Sequence, residues 1–152
     1  MIPIEIVYDI RARDGTWCTL SYPNHSKGCP KFPKCPSGRP DFRDLNYNEW
    51  FAIIVEFDLG RYVELRRLKH PGQSERQLRN LLYWQGKVRA GLRKAILYQT
   101  DHNLLGENKD IILDIPEACG INVFETLAKV GILLDRNPQK IVYKTMFIGR
   151  YK

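Results

Sequence analysis

The chain contains no apolar run near the roughly 20 residues that a membrane helix needs, so no membrane role is expected. Its first residues lack the basic group that opens a secretory leader, and Glu5 and Asp9 break the apolar stretch. A cleaved signal is not expected, and a cytoplasmic location is. There is no Gly-rich phosphate loop, dinucleotide fingerprint or His-Glu-x-x-His. The 3 histidines and the scattered hydroxyls form no recognisable triad, so no catalytic residue is assigned and the chain is not placed as enzyme or non-enzyme. Internal repeats are also lacking. So are cysteine pairs at the two-to-four-residue spacing of zinc knuckles.

What is present is ordinary for a globular chain: 152 residues, 43% hydrophobic and 27% charged. That length suits one domain over residues 1–152, able to bury about 70% of its unfolded surface. The pattern predicts a strand over 3–10, an Asp14-Gly15 turn and a returning hairpin strand over 16–22. Periodicity then stops. Residues 23–48 hold five prolines with Gly28 and Gly38, and read as one long loop. The run 50–57, Trp-Phe-Ala-Ile-Ile-Val-Glu-Phe, suits a central strand. A helix is expected over 59–68. A second, basic and amphipathic, spans 74–99 and opens on the capping box Ser74-Glu-Arg-Gln77. A polar turn over 101–108, a strand over 110–115, a helix over 123–130 and a last strand over 140–148 follow. Strands and helices interleave, which predicts an α+β domain with a mixed sheet packed by helices.

Charge is concentrated. Between residues 61 and 94, ten basic residues face only Glu64 and Glu75, while the whole chain nets +7. The remainder is therefore close to neutral. Such a segment attracts RNA, DNA or an anionic small molecule, or else it is a solvated helix face. At about 100° per residue counted from Leu78, Arg76, Arg79, Tyr83, Lys87 and Lys94 share one face. They are the nucleic-acid candidates, with Tyr83 as a stacking ring. Gln85 and Arg89 fall within about 20° of the centre of the apolar stripe. A buried guanidinium needs a partner. Arg89, with Gln85, is thus a candidate for an anionic substrate or the cysteine loop, or for a structural carboxylate.

The four cysteines are Cys18, Cys29, Cys35 and Cys119, the first three spaced C-x10-C-x5-C. Disulfides suit oxidising compartments, so metal binding is the better reading. Zn²⁺ or an iron–sulfur cluster takes thiolates and would pin the long loop. Proline follows both Cys29 and Cys35, and Lys27, Lys31 and Lys34 stand beside them to balance thiolate charge. His25 is a further candidate ligand. Cys119 reads as a fourth ligand, a free reactive thiol or a buried small hydrophobe. With three ligands, a 4Fe-4S cubane keeps one iron without a protein ligand, open to substrate.

The segments Tyr22-Pro-x-His-x-Lys-Gly-Cys29-Pro, Cys35-Pro and Glu117-Ala-Cys-Gly-Ile-Asn-Val123 together resemble an uncharacterised family of cysteine-rich predicted metal-binding proteins. Lys69-His-Pro-Gly-x-Ser74-x-Arg-Gln-x-Arg79-Asn, followed by Tyr83-Trp-Gln85, resembles phage-like and archaeal relatives of that group. The resemblance covers residues 18 to about 149. It implies iron–sulfur binding, with Cys29, Cys35 and Cys18 as ligands. The chain departs from the pattern at Asn122, where the family motif has Asp, and in its small number of cysteines. Three readings follow: a small protein holding a 4Fe-4S cluster, a zinc-stabilised module that uses the helix 74–99 on RNA or DNA, and a metal-free interaction protein whose cysteines are core residues.

Overall fold

A computed structural model describes residues 1–21, 26–101 and 110–151. Among these residues one sheet contains β1 (Ile2–Pro3), β2 (Glu49–Asp58), β3 (Ile111–Leu113) and β4 (Ile141–Arg150), in the order β1-β2-β4-β3. The fold is α+β, as expected. The sheet is not mixed, however, since every pairing is antiparallel. β2 and β3 run the same way and are joined through helices, the usual recipe for a parallel pair. β4 inserts between them and pairs with both.

β2 reads as a near-continuous apolar run because both its faces are covered. Ala52 lies opposite Phe147 in the register, and Ile53 opposite Met146. Side chains alternate along a strand, so these two pairs point to opposite layers. On one side Ala52 and Phe147 join Leu113, Cys119, Ile121, Val123 and Leu127. The last two come from α6 (Val123–Ala128). On the other side Ile53 and Ile148 pack against Leu92 of α5 (Leu81–Asp101). Gly91 of α5 sits over the Val55 methyls, where a Cβ would be only 3.3 Å from them, so the helix lies close on the sheet.

The remaining helices are α1 (Ile10–Arg13), α2 (Lys34–Ser37), α3 (Leu59–Lys69) and α4 (Glu75–Leu78). The expected N-terminal hairpin does not form. Of the expected hairpin's described residues only Pro3 joins the sheet, beside Ile2, and residues 16–21 hold a 3₁₀ turn (Trp17–Thr19) in place of a strand. The reason lies at Asp9, whose side chain accepts from the Arg11 N–H and starts α1. The extended stretch before it is used differently: Val7 N–H donates to Thr126 Oγ1 at 3.0 Å, and Asn122 N–H donates to the Val7 carbonyl at 2.8 Å.

The helix expected over 74–99 is two helices. Its capping box is present, with both Ser74–Gln77 hydrogen bonds made. The chain then breaks at Arg79-Asn80, where Asn80 Oδ1 accepts from the Leu82 N–H at 3.0 Å and starts α5 afresh. The phase counted from Leu78 is lost at that break. The buried stripe of α5 is Trp84, Val88 and Leu92, while Leu82 is exposed and so is Arg89. Gln85 is half-buried at the edge of the stripe. The expectation that Arg89 is buried in mid-stripe is therefore wrong. The turn expected over 101–108 lies outside the described residues except for Asp101, which ends α5. His25 lies outside them as well.

Candidate metal centre

Backbone contacts, not periodicity, assemble the cysteine region. After α1, Asp14 Oδ1 accepts from the Thr16 N–H at 2.8 Å and from its hydroxyl at 2.6 Å. Cys18 N–H donates to the Gly15 carbonyl at 2.9 Å, closing the turn that carries Cys18. The chain then returns, and Cys29 N–H donates to the Cys18 carbonyl at 2.6 Å. Gly28 makes this approach feasible. Its φ is +87°, and a side chain there would run into the Cys18 carbonyl. A further turn follows, in which Phe32 N–H donates to the Cys29 carbonyl at 3.2 Å and Cys35 N–H to that of Lys31 at 3.0 Å. Cys35 is thereby carried on α2, one turn beyond the Cys18–Cys29 contact.

Cys29 and Cys35 both act on the Cys18 thiol. Burial pushes the Cys18 thiol above its ordinary pKa, and Cys29, Cys35 and Glu117 push it the same way. Each of the three cysteines is a free thiol, half-buried. Among the described residues no three His, Cys, Asp or Glu side chains already stand as a metal-ligand group. Lys27, Lys31 and Lys34 are exposed around the site. Beside Cys35, a concavity of about 610 Å³ is bordered by Lys31, Phe32, Lys34, Arg39 and Ile115.

Cys119 is placed differently. It ends the 3₁₀ turn Pro116–Cys119, is 2% exposed and packs with Leu113 and Ile121 in the core. Burial pushes its thiol up to about 11, against the pull of Arg39 and Arg13. Its turn still borders the cysteine loop, since α2 packs against it and Glu117 acts on both Cys18 and Cys119. Arg39 and Asp114 lock the two segments together with an ion pair of 2.5 Å, and Arg13 Nη1 donates to the Ala118 carbonyl at 2.9 Å. Sequence reasoning gave Gly28, Arg39, Asp114 and Glu117 no role at the cysteine site. Only Gly28, in Gly-Cys-Pro, carried a local signal. Asn122 caps α6 through its side chain, accepting from the Glu125 N–H at 3.1 Å. Asn and Asp serve that role alike, so the departure at this position is neutral for the fold.

The remaining candidates are not brought to the cysteines. Gln85 and Arg89 lie on α5, which covers the opposite face of the sheet from the Cys119 layer. Arg76 and Arg79 belong to α4 and its end, Lys87 and Lys94 to α5, so the single aligned face is interrupted at Asn80. Arg79 is engaged, with Nη1 donating to the Gln139 carbonyl at 2.9 Å and Nε 3.4 Å from Glu75. One face of the Tyr83 ring is covered by the Arg66 guanidinium at 3.8 Å, and Lys87 lies 5.2 Å from the Tyr62 ring. Arg76, Lys87 and Lys94 are exposed. No family model, curated protein or solved structure matches the chain.

Proposed function

We propose that the chain is a small metal-binding protein whose centre is held by the thiolates of Cys18, Cys29 and Cys35, with a 4Fe-4S cluster as the first reading. The observation that carries this is the Cys29 N–H bond to the Cys18 carbonyl beside Gly28, with Cys29 and Cys35 both within electrostatic reach of the Cys18 thiol. Three soft donors on one pinned loop, ringed by lysines, are a donor set for a thiophilic metal. Cys119 stands behind them in the core as a packing residue. Three protein ligands leave one iron of a cubane open to substrate, which would supply Lewis-acid or sulfur chemistry. Free thiols of this kind suit a reducing, cytoplasmic setting. Among the described residues no helix is long and apolar enough to cross a membrane.

The test is anaerobic purification followed by an absorption spectrum and elemental analysis. A brown protein with iron and sulfide that loses both in Cys29→Ala and Cys35→Ala is the expected result. A colourless protein with one zinc lost in the same variants would replace iron by zinc. Protein free of metal after anaerobic reconstitution would end the reading. The second reading is RNA or DNA binding by the basic segment. It is favoured by the exposure of Arg76, Lys87 and Lys94, and it requires affinity for a labelled strand that falls steeply with salt.

A further inference from the structure

On the far side of the sheet from the cysteines, a cavity of about 470 Å³ lies between α4, the start of α5 and the loop 136–139. That volume is within the range of about 300–1,000 Å³ usual for small-ligand sites. Its walls are apolar at Leu59, Trp84 and Pro138 and basic at Arg76, Arg79 and Arg136; among the described residues no carboxylate lines it.

The walls are held in place before any ligand arrives. Trp84 Nε1 donates to the Arg79 carbonyl at 3.1 Å, and its ring stacks on Phe57 at 5.6 Å with 12° between planes. Arg79 ties α4 to the loop through the Gln139 carbonyl, so its charge is partly spent on structure and on Glu75. The other two guanidiniums are not so engaged. Arg76 has no hydrogen bond or ion pair among the described residues. Among the described residues Arg136 meets only the ring of Phe124, at 5.6 Å. The nearest acid in sequence, Asp135, is turned to its own loop, where it accepts from the Asn137 N–H at 2.8 Å.

Two guanidiniums that line an apolar recess, neither with a carboxylate or hydrogen-bond partner among the described residues, match an anion on a ring-sized apolar body. Guanidinium forks suit phosphate, and an apolar wall adds nothing for inorganic phosphate alone. We propose that this cavity binds a phosphate monoester joined through a sugar to an aromatic ring, as in a nucleoside monophosphate. Arg76 and Arg136 take the phosphate, and the Leu59–Trp84–Pro138 wall takes the ring. The same chemistry reaches the protein either as a free mononucleotide or as the 5′-phosphorylated end of a single strand. The site is independent of the cysteine centre.

The experiment is calorimetric titration of the full chain at low salt with adenosine monophosphate, adenosine, inorganic phosphate, and a short single strand with or without a 5′-phosphate. Adenosine monophosphate should bind at least tenfold more tightly than adenosine or phosphate. Arg76→Gln with Arg136→Gln should weaken it tenfold or more with an unchanged melting temperature, and Arg76→Lys should restore only part of the loss. Cys29→Ala should bind it as the parent does, whatever its metal content. If the 5′-phosphorylated strand binds more tightly than both the mononucleotide and the unphosphorylated strand, the ligand is a strand end; otherwise it is the free mononucleotide. Adenosine monophosphate that fails to bind, binds no better than phosphate, or binds the double glutamine variant equally well would overturn the proposal.

Discussion

One face of the sheet is covered by the long helix α5 with α3 and α4 beside its start, and the other by a collection of short turns. α5 lays Trp84, Val88 and Leu92 along the strands in one continuous helix of 21 residues. The cysteine side has α1, α2, α6 and the 3₁₀ turns at 17–19 and 116–119, none longer than six residues. Elements that short have little stability of their own. Side chains and distant carbonyls hold them: Arg39 to Asp114, Arg13 to the Ala118 carbonyl, Gly120 beneath the Tyr8 ring. The helical side is thus stabilised by local order and the cysteine side by a few long-range ties. The second arrangement is the one that can yield when a ligand is gained or lost.

The largest expected effect would erase the contrast. Phe147 is fully buried in β4, between two strands that both depend on it. Phe147→Ala should cost about 3–5 kcal/mol and lower the urea midpoint of both sides together. Separate transitions for α5 and the cysteine loop in that variant would show that the sheet does not couple them. A sharper cut is Gly28→Ala, which meets both a positive φ and the Cys18 carbonyl. A local cost of about 1–3 kcal/mol is expected. Proteolysis should speed up in residues 15–39 while the helical circular dichroism stays, and metal content should fall. Unchanged cleavage there would mean that the Cys18–Cys29 contact is not what orders the loop.

On the helical side the corresponding change is Ser74→Ala. It removes the Gln77 cap and should cost about 0.5–2 kcal/mol without touching thiol reactivity. At neutral pH the smallest effect is that of Cys119, which shows only in alkali. The folded Cys119 thiol titrates near 11 against an ordinary 9.0, so the native state keeps its proton where the unfolded chain has lost it. Its contribution is complete below pH 9.0 and declines as the pH rises toward 11, by at most about 1.4 kcal/mol per unit. Cys119→Ala should flatten that part of the stability profile. An identical alkaline slope in the variant would mean that other groups set it.

The legible parts of the fold were those written locally. The apolar run 50–57 located β2 because both its faces are buried, and Ser74 with Gln77 located a true helix start. A local signal also misled. Asn80 is a second cap that an unbroken heptad-like pattern hides, and passing over it rotated the assumed face of α5 so that Arg89 came out buried. The antiparallel sheet was illegible because the insertion of β4 depends on the whole chain. At the candidate site, the cysteine types and the Gly-Cys-Pro step could be read, but the partnership of Cys18 with Cys29 could not. Neither could the Arg39–Asp114 tie, which joins residues 75 apart.

The position of β4 also dictates an order of events during synthesis. One of the sheet's two inner strands, β4, is the last of the four to leave the ribosome, and Thr145 donates to the Ile53 carbonyl across 92 residues. Until it arrives, β2 has only the two residues of β1 as a neighbour, and β3 has no neighbour strand. A nascent chain lacking residues 141–150 therefore carries an exposed apolar edge that it cannot cover by itself, a state prone to mispairing. The sheet cannot close until residues 141–150 are out, and the thiols of Cys18, Cys29 and Cys35 wait on the same event, since the turn that backs them follows β3 in the chain.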